Sequence, residues 1–285
     1  MGGITLRELD AKQITETVAQ LCKEAAYYLP KDVYEGLKKG RETEKSPVGQ
    51  AVLDQIIKNA EIARDEDRPY CQDTGMTIVF LEVGQDLHIV GGDLEEAVND
   101  GIAKGYTEGY LRKSVVAEPI FNRVNTKNNT PGVIYTKIVP GDKLKITVEP
   151  KGFGSENKGG IKMLVPADGL EGVKKAVMEI ILHASMNPCP PRVVGIGIGG
   201  TMDRAAVMSK IALTRSINSH NPMPESAKLE DDLLELINDT GIGPQLGGTT
   251  SCLGVNIEWG PTHIAGLPVA VTICCHACRH ATRVL

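Results

Sequence analysis

The sequence of 285 residues is poor in aromatic residues and lacks any long apolar run. Aromatics make up 4% of it, which disfavours a module that stacks nucleic-acid bases. It has no long Lys/Arg run, and its formal net charge of −5 argues against non-specific nucleic-acid binding. No stretch approaches the roughly 18 apolar residues that a membrane span needs. The first ten residues contain no apolar core, so we expect neither a membrane protein nor a secretion signal.

The cysteines are odd in number, which indicates the compartment. There are seven: Cys22, Cys71, Cys189, Cys252, Cys274, Cys275 and Cys278. An odd count without an expected secretion signal favours a reducing environment, so we expect a cytoplasmic protein without a disulfide framework. In that setting, clustered cysteines more often bind a metal, take part in catalysis or are buried than form disulfides.

Hydrophobic periodicity and turn residues predict a mixed α/β (α+β) fold. Helices are predicted at 5–28, 48–64, 94–104 after an Asp93 N-cap, 172–184, 204–213 after an Asp203 N-cap, and 228–238. Strands are predicted at 77–83, 88–90, twice within 131–149 around a Pro140-Gly141-Asp142 turn, 161–165, 193–198, 253–257 and 269–273. Because no repeat or linker interrupts the pattern, we expect one compact domain over residues 1–285, with helices packed around mixed β-sheets.

Cys71, Cys189 and Cys275 share a setting, since each lies at the end of an element beside turn-forming or polar residues. Three separated thiolates could hold three irons of a [4Fe–4S] cluster and leave the fourth iron open as a Lewis acid. Their spacing matches no local ferredoxin motif, and a free cysteine is commonly a small buried hydrophobe, the role we assign to Cys22 and Cys252. The C-x-x-C in CCHACRH also allows zinc or a redox pair, although no second pair accompanies it.

Other polar motifs are ambiguous when taken singly. Gln72 and Asp73 follow Cys71 in a Cys-Gln-Asp-Thr-Gly turn, and Asp-Thr-Gly is usually an ordinary turn. The glycines at 195–200 have Gly-x-Gly-x-x-Gly spacing but no acidic residue ending a second strand, so they could instead allow close approach of backbone to a cofactor or anion. The Gly-rich stretch 151–160 could cradle a carboxylate or be a flexible connection, and a lone turn histidine such as His263 is more often structural.

Together these segments resemble class I fumarate hydratases, the iron–sulfur-dependent family that includes L-tartrate dehydratases. Several ordered motifs along the chain form a far more specific signal than any one glycine loop. The resemblance runs from about residue 10 to the end and is carried by RPYCQDTG (68–75), LRKSVV (111–116), KGFGSENKGG (151–160), NPCPP (187–191), GIGIGGTMD (195–203), GIGPQLGG (241–248), PTHIAGLPVAV (261–271) and CHACR (275–279).

The resemblance implies that Cys71, Cys189 and Cys275 ligate a [4Fe–4S] cluster. Cys274 and Cys278 are close competitors for the third place. Cys275 is chosen because it opens the Cys-x-Ala-x-Arg pattern of fused fumarases.

The resemblance also implies roles around the substrate. Asp73 is expected to pass a proton to or from the hydroxyl, and His263 to orient the iron-bound carboxylate or tune Asp73. Gln72 and the Gly154 backbone N–H are expected to donate hydrogen bonds to the substrate. Arg112 is expected to bind the distal carboxylate through its guanidinium fork, the alternative being an arginine on a helix surface.

Fused family members continue into a further domain, whereas this sequence ends ten residues after Cys275. The resemblance is therefore to the α subunit of a two-subunit form, with a separate β subunit and an α₂β₂ assembly completing the site for a small dicarboxylate. LRKSVV and GSENKGG favour the reversible hydration of fumarate to L-malate over the alternative, an L-tartrate dehydratase α subunit. A non-catalytic metal-binding scaffold and a nucleotide-binding oxidoreductase are the alternatives from other classes.

Overall fold

A computed structural model describes residues 6–285. Its α-helices are α1 (Ala11–Tyr27), α2 (Lys31–Thr43), α3 (Pro47–Asp65), α4 (Leu94–Glu108), α5 (Phe153–Glu156), α6 (Gly169–Ala184), α7 (Met202–Leu213) and α8 (Pro224–Asn238). Its strands are β1 (Arg7–Asp10), β2 (Met76–Gly84), β3 (Leu87–Val90), β4 (Val133–Val139), β5 (Leu144–Lys151), β6 (Gly160–Leu164), β7 (Arg192–Gly199), β8 (Cys252–Gly260), β9 (Leu267–Cys274) and β10 (Ala281–Val284). The predicted mixed α/β class is confirmed. Within the described residues, no helix has the length and apolar character needed to cross a membrane.

The described chain groups into two compact units, each assembled from segments that are distant in sequence. The first unit comprises the chain up to Pro30, Ile62–Gly152 and Arg279–Leu285. The second comprises Lys31–Glu61 and Phe153–Cys278. A single domain over residues 1–285 stays a prediction.

The first unit contains a four-stranded mixed sheet with strand order β10-β5-β2-β4. Strand β2 runs parallel to β4 and antiparallel to β5, which pairs antiparallel with β10. Helices α1 and α4 pack together, and their apolar side chains join those of β2 and β5 in one buried core. Ile14, Val18 and Leu21 of α1 recur at helical spacing in this core, which explains why the periodicity revealed the helix.

One prediction in the first unit is wrong in detail. Residues 7–10, predicted as helix, form β1 and pair in parallel with β3, and α1 begins only after the Asp10 carboxylate caps the Lys12 N–H at 2.8 Å. Residue 5 of that predicted helix lies outside the described residues. The two strands predicted around Pro140-Gly141-Asp142 form as β4 and β5, and β2 lies between them in the sheet.

The second unit contains a mixed sheet of order β6-β9-β7-β8, with β7 and β8 parallel and the other pairs antiparallel. Val194 and Ile196 of β7 join the core that β7, β8 and β9 share with α6 and α8. Three alternate residues of β7, at positions 195, 197 and 199, are glycines. A Cβ on Gly195 would lie 2.1 Å from the Ser209 carbonyl oxygen, and one on Gly197 would lie 2.0 Å from that of Ala205. These glycines therefore let α7 pack directly on the strand, a structural reason for the Gly-rich motif.

The prediction that Asp203 caps α7 is wrong. The helix begins at Met202, and the N-cap position is occupied by Thr201. Asp203 lies within the first turn, where its carboxylate accepts a hydrogen bond from the Thr201 hydroxyl at 2.6 Å. The negative charge still lies at the positive end of the helix, which is favourable there. Asp93, by contrast, caps α4 as predicted, accepting from the Glu96 N–H at 2.9 Å.

Candidate active site

The Cys71–Gly75 turn of the first unit carries three of the predicted site residues. Cys71 is half-buried, and its thiol donates to the Gln72 side-chain oxygen at 3.6 Å. The Asp73 carboxylate accepts the Gly75 N–H at 3.0 Å, which closes the turn. Gly75 has φ +76°, and a Cβ there would lie 2.7 Å from the Lys151 carbonyl, so only glycine fits.

The segment that carries Arg112 lies against this turn within the first unit. The Thr74 hydroxyl donates to the Arg112 carbonyl at 2.8 Å, which joins the two segments. Arg112 is exposed and follows the end of α4, so the alternative of an arginine on a helix surface is wrong. The structure thus brings together two segments predicted to contact the substrate, one with the acid/base candidate and one with the carboxylate-binding candidate.

A buried arginine supports the same turn. The Arg279 guanidinium, from the last residue of CHACR, donates to the Asp73 carbonyl and to the Pro150 carbonyl, the latter at 3.3 Å. Hydrogen bonds from a buried cation to backbone oxygens are stronger than neutral ones. The position of Asp73 is therefore set by its backbone as well as by its own side chain.

In the second unit, the structure brings together the segments of Cys189 and Cys275. The His276 N–H donates to the Cys189 carbonyl at 3.2 Å. Cys189 is exposed and has φ +50°, which places it at a sharp turn after α6. Cys275 is half-buried, whereas its competitors Cys274 and Cys278 are only 4% and 3% exposed.

Burial separates the remaining thiols from these candidates. Cys274 and Cys278 pack with Val33, Val193 and Leu213 in an apolar cluster. Burial raises the pKa of Cys22 to about 12, and it does the same to the pKa of Cys252. A thiol must lose its proton to ligate a metal, so a buried thiol of this kind is a poor ligand.

A buried guanidinium fixes the turn that precedes Cys189. Arg192, at the start of β7, donates to the Ser185 carbonyl and, at 3.5 Å, to the Ile181 carbonyl at the end of α6. Burial lowers the pKa of Arg192 from its usual high value. Negatively polarised carbonyls at a helix C-terminus compensate a buried cation. Sequence reasoning missed this residue, since an isolated arginine beside a proline pair carries no signal of burial.

Gly154 and His263 lie on separate segments of the second unit. Gly154 is in the first turn of α5, where backbone N–H groups have no acceptor within the helix, and a Cβ there would meet nothing within 4 Å. His263 lies in a turn, as predicted, and the structure shows it exposed. Its Nδ1 accepts the Ala265 N–H at 3.1 Å. Because Nδ1 accepts this hydrogen bond, the proton of the neutral imidazole is assigned to Nε2, which is therefore a hydrogen-bond donor.

Glu44, which sequence reasoning also missed, holds the loop that follows the GIGPQLGG motif. Its carboxylate is 2% exposed and accepts backbone N–H groups from Ser46 at 2.8 Å, Thr249 at 2.9 Å and Thr250 at 2.7 Å. Burial by itself raises the pKa of Glu44, but these hydrogen bonds outweigh it and lower the pKa to about 2. In the sequence, Glu44 stands among charged residues and looks like a solvated position.

Comparison with known proteins agrees with this arrangement of motifs. The sequence profile described as Fumarate hydratase (Fumerase) matches residues 15–284. The putative L(+)-tartrate dehydratase subunit alpha of Methanocaldococcus jannaschii is 41% identical over 277 residues, covering 95% of this chain and 97% of that protein. The L(+)-tartrate dehydratase subunit alpha of Escherichia coli K12 is 37% identical over 275 residues, covering 95% and 90%. The chain therefore belongs to the fumarate hydratase family of hydro-lyases.

Proposed function

We propose that this chain is the α subunit of a [4Fe–4S]-dependent hydro-lyase that, with a separate β subunit, reversibly hydrates fumarate to L-malate. The observation that carries the proposal is the hydrogen bond between Thr74 and Arg112, which joins the segment of the proton-transfer candidate to that of the carboxylate-binding candidate. Family membership supports the reaction class. The exposed fractions of the cysteines support the choice of thiols.

The donor set fits an iron–sulfur cluster. Thiolates are the usual protein ligands of such clusters, and the three proposed ligands, Cys71, Cys189 and Cys275, are the cysteines that burial leaves accessible. Reduced thiols of this kind agree with a cytoplasmic enzyme. When bound by these residues, the cluster would supply a Lewis acid for a hydroxyl and a carboxylate of the substrate.

The remaining residues would bind the dicarboxylate and move its protons. Arg112 would bind the distal carboxylate through its guanidinium group. The Gln72 amide and the Gly154 N–H would donate further hydrogen bonds. Asp73 would hold the proton that leaves or joins with the hydroxyl. His263 would donate from Nε2 to a substrate carboxylate, because its Nδ1 already accepts from Ala265.

A β subunit would complete the site. The relatives are named as alpha subunits. Arg112 is the one arginine proposed here to bind a substrate with two carboxylates, and the carbanion formed on proton removal adds negative charge that needs further stabilising groups. We therefore propose that β supplies additional cationic groups, within an α₂β₂ assembly.

L-tartrate is the second candidate substrate, and one observation favours it. The curated relatives reported above carry the name tartrate dehydratase. Against this, the LRKSVV and GSENKGG segments resemble those of fumarases, which is why we propose fumarate first. The two substrates share both carboxylates and the hydro-lyase chemistry, and tartrate differs from malate by one additional hydroxyl.

The test is an anaerobic assay of the reconstituted αβ complex with fumarate, L-malate and L-tartrate in parallel. The proposal predicts that kcat/KM for fumarate exceeds that for tartrate. A higher value for tartrate would replace the substrate but keep the hydro-lyase assignment. Absence of turnover with all three, by a complex that carries its cluster absorbance, would contradict the proposed function.

A further inference from the structure

The two substrate-facing segments of the first unit lack regular secondary structure where they carry their site residues. Residues 71–75 form bends and coil, and residues 111–115 are coil. Because no helix or strand ladder runs through these residues, hydrogen bonds from side chains contribute to holding the two segments. Asn129, which lies outside the motifs that carry the family resemblance, forms hydrogen bonds to both segments.

Asn129 connects the two segments through both ends of its amide group. Its Oδ1 accepts the Ser114 N–H at 2.7 Å, and its Nδ2 donates to the Gly75 carbonyl at 3.2 Å. The side chain is 0% exposed, so water does not compete for either bond. Because one partner is a donor and the other an acceptor, the assignment of the amide oxygen and nitrogen follows from the contacts themselves.

The backbone at Asn129 also selects this residue type. Its φ is +64°, in the left-handed region where Asn is among the best tolerated residues with a side chain. Glycine would satisfy the backbone but lose both side-chain bonds. Asn129 therefore tolerates the positive φ of this turn and also supplies both side-chain hydrogen bonds.

Thr74 and Tyr106 complete the connection. The Thr74 hydroxyl donates to the Arg112 carbonyl. The hydroxyl of Tyr106, a buried residue of α4, donates to the carbonyls of Thr74 at 2.6 Å and Gly75 at 3.2 Å. We call Thr74, Tyr106 and Asn129 together the Asn129 bridge. Burial raises the pKa of Tyr106, which keeps its hydroxyl a proton donor.

We propose that Asn129 is a positioning residue for substrate binding, acting by holding the Arg112 segment against the turn of Asp73. The inference rests on the proposed function, in which Arg112 binds a substrate carboxylate. A guanidinium fork recognises a carboxylate bidentately only in a narrow geometry, and a misplacement of about 1 Å can cost on the order of 100-fold in rate. Loss of the bridge should therefore weaken substrate binding without removing any group that contacts the substrate.

The principal variant is Asn129→Gly, which removes both side-chain hydrogen bonds of Asn129 while keeping a residue suited to positive φ. Lys127→Gly is the matched control, because Lys127 is exposed and also has positive φ, at +66°. In the αβ complex, Asn129→Gly should keep the cluster absorbance and raise KM for the dicarboxylate about 10- to 100-fold, with a smaller change in kcat. Lys127→Gly should leave KM within twofold of the unmodified complex.

A double-mutant cycle with Arg112→Ala distinguishes positioning from general damage. If Asn129 acts through Arg112, then Asn129→Gly should change KM by less than about twofold in the Arg112→Ala background. If the two substitutions raised KM by independent factors that multiply in the double variant, the proposal would be overturned. Should Asn129→Gly fail to assemble, Tyr106→Phe keeps the ring, removes two bonds of the bridge, and should shift KM in the same direction and show the same coupling.

Amide hydrogen exchange supplies a readout that does not depend on activity. The Ser114 N–H loses its acceptor in Asn129→Gly, so its exchange should accelerate at least tenfold, and it should not change in Lys127→Gly. An unchanged exchange rate of the Ser114 N–H in Asn129→Gly would overturn the proposal. If the unmodified complex turned over neither fumarate nor tartrate, the proposed function would fail and with it the substrate-positioning role, and exchange would show separately whether Asn129 holds the segment.

Discussion

At the scale of single residues, burial divides the seven cysteines into two chemical classes. Four are buried among apolar side chains, and three lie at least partly exposed on irregular segments. The sequence showed which cysteines stand beside turn residues, but in CCHACRH it could not show which thiol faces the core. That choice depends on where β9 ends, at Cys274, and on the packing of Cys278 against Leu213, both of which are tertiary facts.

Paired variants test the third cluster ligand. Cys275→Ala should abolish the broad visible absorbance of the anaerobically reconstituted cluster, because one of three thiolates is lost. Cys274→Ala should keep that absorbance and lower the free energy of unfolding by only about 1 kcal/mol through lost packing. The opposite result, with the absorbance lost in Cys274→Ala and kept in Cys275→Ala, would show that the neighbouring thiol is the ligand.

The buried carboxylate of Glu44 is expected to stabilise the folded chain. Replacing it by Gln puts an NH₂ group among backbone donors, and we expect the free energy of unfolding at neutral pH to fall by about 2–3 kcal/mol. Because the pKa of Glu44 is lowered to about 2 from 4.5, its contribution is complete above pH 4.5 and is lost as the pH falls toward 2. Denaturant unfolding at several pH values checks this.

Glu42→Gln is the matched control for Glu44, since Glu42 is exposed and lies two residues away on the same segment. It should change the free energy of unfolding by less than about 0.5 kcal/mol at any pH. If the difference between the unmodified chain and Glu44→Gln stayed constant down to pH 2, the carboxylate would not be the source of the stabilisation.

At the scale of elements, local pattern predicted most helices and strands, and tertiary pairing decided the rest. The hydrophobic periodicity of α1 and α3 and the β-branched run of β2 were sufficient to predict these elements. Helix α2 was not predicted, because its charged sequence buries few side chains, Val33 and Leu37 among them. Strand β10 was not predicted either, since its backbone pairing with β5 defines it and its side chains are largely exposed.

The close contact between β7 and α7 predicts that a side chain at position 197 destabilises the fold. Gly197→Ala adds a Cβ at 2.0 Å from the Ala205 carbonyl oxygen, so α7 must move away from the sheet. We expect the free energy of unfolding to fall by about 1–3 kcal/mol, measured by denaturant titration. Gly266→Ala serves as the control, because its nearest atom would be 4.0 Å away, and equal stability of the two variants would refute the packing explanation of the Gly-rich motif.

At the scale of the whole molecule, the site could be anticipated only through the agreement of several motifs. Spacing alone did not indicate a cluster, and a single arginine did not indicate a dicarboxylate. The ordered motifs together indicated the family, which the comparisons confirm over residues 15–284. The supporting residues Asn129, Tyr106 and Glu44 were not identified from the sequence, because their hydrogen bonds join residues that are 15 to 205 positions apart.

An open iron in the proposed cluster predicts sensitivity to air. With three thiolate ligands, the fourth iron would be exposed to oxidants and could be lost, which removes the Lewis acid. Activity of the αβ complex should decay in air and return after anaerobic incubation with ferrous iron and thiol. Activity that survives aerobic purification and treatment with a chelator would contradict the open-iron proposal.

We propose that this chain holds the cluster and part of the substrate site, and that a β subunit completes the site. The most direct measurement is anaerobic turnover of fumarate and L-tartrate by the cluster-loaded α chain before and after β is added. We expect negligible turnover by α alone and a gain of at least about 1,000-fold with β, because missing substrate-positioning groups are worth several kcal/mol. Equal turnover with and without β would contradict it.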